Sequence, residues 1–96
     1  MIHIINLYTT QGCHLCENAA VLLDQQSGFI QELLRDKTES LRVQQIEISE
    51  SDDLLEAYGV RIPVLRFEGS DSELGWPFSA DELRHFLIEG FADSEV

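Results

Sequence analysis

The chain has two cysteines, three positions apart, in the segment Cys13-His14-Leu15-Cys16. A disulfide framework of a small secreted domain has more cysteines, more widely spaced. Structural zinc takes four ligands, commonly two separated pairs, and His3, His14 and His85 are not spaced as a second pair. A single C-x-x-C near a strand-helix-strand pattern points instead to redox work. A cysteine opening a helix faces unpaired backbone N–H groups and the positive end of the helix dipole, and both favour the thiolate. Cys13 has that position, and Cys16 lies about one turn deeper, shielded yet within reach. The pair thus supplies a nucleophile, Cys13, and a resolving thiol, Cys16, which together cycle between dithiol and disulfide. The alternative is two unrelated cysteines, one buried and one incidental. His14 has two readings: an imidazole that stabilises the reduced pair, or a solvent-facing residue of the first turn. The positive helix end works against its protonation. Leu15 is read as apolar surface beside the thiol.

These residues need elements to hold them. Residues 2–8 are a run rich in Ile and Leu with almost no alternation, the mark of a strand buried on both faces. Thr9-Thr10-Gln11-Gly12 follows as a loop. A helical period then carries Leu15, Ala19, Leu22, Leu23, Phe29, Ile30, Leu33 and Leu34, with a kink or break expected at Ser27-Gly28. Residues 36–40 read as a polar turn and 41–48 as a second strand with Val43, Ile46 and Ile48 as its apolar members. A short helix follows, with Ser or Asp as N-cap, and Tyr58-Gly59 stops it. Residues 60–67 form a strand with Pro63 at the head of its apolar part, and 73–76 return as a hairpin. Ser79-Ala80-Asp81-Glu82 has the form of a capping box before a last helix carrying Leu83, Phe86, Leu87 and Phe91. The order is β-α-β-α-β-β-α: a right-handed parallel βαβ unit, then an antiparallel hairpin and a closing helix. The cysteines fall at the carboxyl end of the first strand, the edge where open α/β sheets place their chemistry.

Length and charge limit the rest. Ninety-six residues predict one domain over residues 1–91, with an acidic tail at 92–96. Six Lys+Arg against eighteen Asp+Glu give a net charge of −12. Nucleic acids and anionic membrane surfaces are therefore poor partners. The amino terminus lacks the pattern of a signal peptide and no apolar run approaches the ~20 residues of a membrane span, so a cytoplasmic protein is expected.

Cys13-His14-Leu15-Cys16 after a buried strand, together with Tyr58-Gly59-Val60-Arg61-Ile62-Pro63-Val64, resembles the thioredoxin superfamily. Within it the chain is similar to the short glutaredoxin-like branch, including small C-x-L-C members. The resemblance covers about residues 1–90. It implies a thioredoxin-like α/β fold with a central mixed four-stranded sheet and helices on both faces. It also implies a cis Pro63 opposite Cys13 and Cys16, where the backbone of Ile62 and Pro63 pairs with a bound thiol peptide. Arg61, two places before Pro63, is the expected anchor for a substrate carboxylate; the alternative is a surface pair with an acid such as Glu56. The chain departs from the family at two places. Thr9, Thr10 and Gln11 stand where glutaredoxins commonly carry a glutathione-binding lysine, and Leu74-Gly75-Trp76-Pro77-Phe78 stands where they tend to have Gly-Gly.

The expectation is a small thiol–disulfide oxidoreductase with no bound cofactor and no metal. It would act on protein or low-molecular-weight thiols and disulfides, with a reductase or glutathione as electron donor. Two alternatives stay open: a thioredoxin-fold adaptor with regulatory or idle cysteines, and a glutathione-dependent iron–sulfur carrier.

Overall fold

The computed structural model describes residues 2–35 and 38–93. Strand β1 (Ile2–Thr9) leads into α1 (His14–Asp24) and α2 (Ser27–Leu34); β2 (Ser40–Glu47) and a single 3-10 turn (Ile48–Glu50) lead to α3 (Asp52–Tyr58). Then come the hairpin β3 (Val64–Phe67) and β4 (Glu73–Gly75), and α4 (Ala80–Asp93). The sheet order is β2-β1-β3-β4, with β1 and β2 parallel and the β1–β3 and β3–β4 pairs antiparallel. The expected mixed four-stranded sheet is what the chain forms.

Alternation along β1 and β3 divides the interior between the two sheet faces. Ile5 and Leu7 pair with Phe67 and Leu65, and this face packs against Ala19, Leu23 and Leu34 of α1 and α2 and Leu83, Phe86 and Leu87 of α4. On the opposite face Tyr8 and Val64 pack with Ile48, Tyr58 and Leu54, so α3 covers that side. The Tyr8 and Tyr58 rings stack there at 4.1 Å. Ser79 and Glu82 close the capping box reciprocally: the Ser79 N–H donates to Glu82 Oε1 at 3.0 Å and the Glu82 N–H to Ser79 Oγ at 3.1 Å. Such a cap contributes about 0.5–2 kcal/mol to a helix.

Several boundaries differ from the expectation. The first helix does break, but at Gln25 and Gln26, and Gly28 lies inside α2. Gln26 is buried and ties this joint to α4, because its Oε1 accepts from Arg84 Nε at 2.7 Å. The second strand lies at the sheet edge, and Val43 is 42% exposed rather than an inner apolar member. Ile48 is buried, but in the 3-10 turn beyond the strand. Burial along β1 is also unequal: Ile2 is exposed while Ile5 and Leu7 are enclosed. Helix α4 takes in Ala92 and Asp93, where an acidic tail was expected, because nothing after Phe91 stops a helix. The remaining tail positions 94–96, and Asp36 and Lys37 of the expected polar turn, lie outside the described residues.

Candidate functional site

Gly12 makes the turn into α1 possible. Its φ of +79° lies in the left-handed region that residues with a Cβ avoid. The next residue, Cys13, is the N-cap of α1, and its Sγ accepts the Cys16 N–H at 3.1 Å. A sulfur thus takes the place of the usual capping oxygen. The two sulfurs lie at disulfide distance, across 5.3 Å between Cα atoms. Cys13 is half-buried and Cys16 is 4% exposed, so the first cysteine is the more open of the two and the second is sheltered behind it.

His14, between them, turns away. Its side chain is 90% exposed and its Nδ1 lies 3.5 Å from Glu17 Oε2. Leu15 is half-exposed on the same turn. Among the described residues no group of three or more His, Cys, Asp and Glu side chains is gathered to hold a metal ion.

The cysteines open into a cleft of about 500 Å³ that extends between α1 and the carboxyl ends of β1 and β2. Its floor includes Leu7 and Ala20, and Thr10, Gln11, Glu17, Glu47 and Glu50 stand around it. Glu47 is a residue the sequence reading missed. The parallel register sets it beside Thr9, and its Oε1 accepts the Gln11 N–H at 3.0 Å while Oε2 accepts the Ser49 N–H at 3.1 Å. The loop before Cys13 is therefore tied to the end of β2. The Ser49 N–H first, and the Thr10 hydroxyl next, hold the Glu47 carboxyl below the ordinary carboxylate value. A folded-state pKa below the unfolded one stabilises the fold above the unfolded pKa and loses that contribution as pH falls through the folded value. Glu47→Ala is accordingly expected to lower stability at neutral pH, with the gap from wild type closing on acidification below the usual carboxylate pKa. Urea unfolding across pH checks it; a gap independent of pH would show that the carboxylate's charge is not what ties the loop.

On the other side of the cysteines, Ile62–Pro63 is a cis peptide bond, and Pro63 is buried at the head of β3. Val64 pairs with Tyr8, so Pro63 and the cysteine loop share one edge of the sheet. Ile62 is half-buried against the cluster under α3. Trp76–Pro77 is also cis, a feature no sequence signal announced.

Arg61 is held elsewhere. Both terminal nitrogens reach Glu73 Oε1 at 3.2 Å, its Nε donates to the Ala57 carbonyl at 3.0 Å, and its guanidinium lies 5.0 Å from the Tyr58 ring centre. The partner is Glu73 across the sheet rather than the neighbouring Glu56. Glu73 is shared, since the Tyr58 hydroxyl donates to its Oε2 at 2.8 Å. Burial, foremost, pushes the Tyr58 hydroxyl above its ordinary pKa, so it remains a donor at neutral pH. Ser79 and Glu82, at the start of α4, bond to each other.

Residues 4–88 match the family model described as "Glutaredoxin-like domain (DUF836)". Among solved structures, the X-ray structure of the structural-genomics target protein XcR50 from X. campestris is 34% identical. Its TM-score is 0.63, over 88% of this chain and 96% of that one. A structure described as that of a malarial protein has a TM-score of 0.61 at 10% identity, covering 94% of this chain and 98% of that chain, and speaks to the fold alone. No curated protein sequence matches the chain.

Proposed function

We propose that this chain, which belongs to the glutaredoxin-like domain family (DUF836), is a thiol–disulfide oxidoreductase working through Cys13 and Cys16. The observation that supports this most is the asymmetric pair: a half-buried Cys13 whose sulfur caps α1, and a buried Cys16 whose sulfur lies at bonding distance behind it. In the reduced protein the Cys13 thiolate attacks one sulfur of a substrate disulfide and expels the other as a thiol. Cys16 then attacks the Cys13 sulfur of the mixed disulfide and releases the second thiol. Two electrons pass to the substrate, the protein is left as its disulfide, and a thiol donor, a reductase or glutathione, restores it. The Cys16 N–H that reaches Cys13 Sγ, with the dipole of α1, favours the thiolate in the first step. Cys13 and Cys16 are the catalytic residues of this reading, and the backbone of Ile62 and Pro63 flanks the substrate. No helix among the described residues is long and apolar enough to cross a membrane; we place the activity in the cytoplasm.

The test is alkylation of the pre-reduced protein by iodoacetamide at pH 6, followed by coupled turnover with thioredoxin reductase and, separately, with glutathione and its reductase. Rapid modification of Cys13 and turnover in one system are expected. A thiol no faster than free cysteine, with turnover in neither system, would leave an adaptor with idle cysteines.

A further inference from the structure

The cleft beside the cysteines has a one-signed rim. Glu17, one turn after Cys13, Glu47 at the end of β2 and Glu50 in the 3-10 turn all line it together with both cysteines. No Lys or Arg lines it among the described residues. Arg61, the cation nearest in sequence to Pro63, is bound to Glu73. The positions flanking the cysteines on the loop side are Thr9, Thr10 and Gln11, which are uncharged. Low-dielectric walls lined by one sign of charge concentrate the field and raise the local concentration of oppositely charged reactants.

Resting on the oxidoreductase reading above, we infer that the cleft selects disulfides carrying cationic groups beside their sulfurs, in a polypeptide a cystine flanked by Lys or Arg, and rejects anionic ones such as glutathione disulfide. The attack brings a substrate sulfur onto Cys13, so groups next to that sulfur enter the cleft and meet Glu17, Glu47 and Glu50. An ammonium there is attracted, and a carboxylate meets like charge. The chemistry stays balanced for every substrate. The Cys13 and Cys16 thiols give up two electrons and two protons, one protein disulfide forms, and one substrate disulfide becomes two thiols.

The experiment uses the full chain, reduced beforehand and freed of reductant, in single turnover with three small disulfides. These are cystamine, with two ammonium groups; bis(2-hydroxyethyl) disulfide, which is neutral; and dithiodiglycolate, with two carboxylates. Each rate is divided by that of the same disulfide with dithiothreitol, which removes intrinsic reactivity. Runs are made at about 0.01 M ionic strength, where the Debye length is about 30 Å, and at about 1 M, where it is about 3 Å. Cystamine is expected to exceed dithiodiglycolate by about tenfold or more at low salt, the lower end of focusing effects on association rates, and by little at high salt. Replacing two rim carboxylates together, Glu17→Gln with Glu50→Gln, is expected to cut that ratio at least about threefold. Glu68→Gln provides the control. Glu68 is exposed, and its N–H donates to the Ile4 carbonyl near the opposite end of β1, so it changes total charge without changing the rim. Peptide cystines flanked by lysines or by glutamates are run beside the small disulfides. The same ordering there extends the selection to polypeptides, and its absence confines it to small molecules. A neutral disulfide that leaves the thiols untouched would overturn the oxidoreductase reading itself. A neutral disulfide that reacts, with no charge ordering or with an ordering that Glu68→Gln reduces as much as the rim variant does, would overturn this inference alone.

Discussion

Replacing Cys16 by serine is expected to leave partners covalently attached to Cys13, whereas Cys13→Ser should trap almost none. Attack falls to the more open cysteine, and Cys13 is half-buried where Cys16 is enclosed; release needs a second sulfur behind it, and the variant has lost that. Cys16 is 4% exposed, so in the Cys13→Ser protein the remaining thiol is poorly placed to meet a large substrate. Serine is slightly smaller than cysteine and keeps the fold, so both variants should melt near wild type with a common reductant present. Non-reducing gels of each variant, loaded with a mixture of disulfide proteins, give the comparison. Equal trapping by the two variants would reverse or abolish the assignment of roles.

Gly90→Ala is expected to destabilise the protein although alanine is the better helix former. Gly90 lies in the last turns of α4, where a Cβ would run into the Cδ2, Cε2 and Cζ atoms of Phe67. That ring has little room to yield. It is 4% exposed, with the Phe86 ring centre at 5.2 Å and the Phe91 ring centre at 5.6 Å. Alanine gains about 1 kcal/mol of helix propensity over glycine. Overpacking a closed core costs about 1–3 kcal/mol. The second effect is the larger, and each kcal/mol lowers the melting temperature of a domain this size by about 4–8 °C. Thermal unfolding followed by circular dichroism decides it. A melting temperature at or above wild type would mean the Phe67 ring can step aside, and that Gly90 is set by something other than this contact.

What can be read along the chain is set by which interactions are local. Periodicity, caps and turn residues act over a few positions, so the element order, the Ser79–Glu82 capping box and the cysteines at a strand-to-helix turn were all readable along the chain. The spacing of Cys13 and Cys16 is one helical turn, and one helical turn is itself local geometry; their approach to disulfide distance needed no distant residue. What the chain could not show in one dimension is which strand takes the edge. Val43 and Ile46 look like core residues in a list of side chains, yet β2 has a neighbour on one side only, and Val43 is left exposed. Arg61 read as an anchor because it stands two places before Pro63, with an acid such as Glu56 as the alternative partner; the sheet brings Glu73 to it from β4. Glu47 and Gln11, 36 positions apart, meet only because β1 and β2 run parallel in a register that sets Glu47 beside Thr9. Sequence by itself determined the elements and the dithiol, since both follow from contacts within a turn or two. Strand register and layer packing decided that Glu47 and Glu50 join the locally placed Glu17 beside that dithiol and that Glu73 meets Arg61, because Coulomb forces act through space and are blind to separation along the chain.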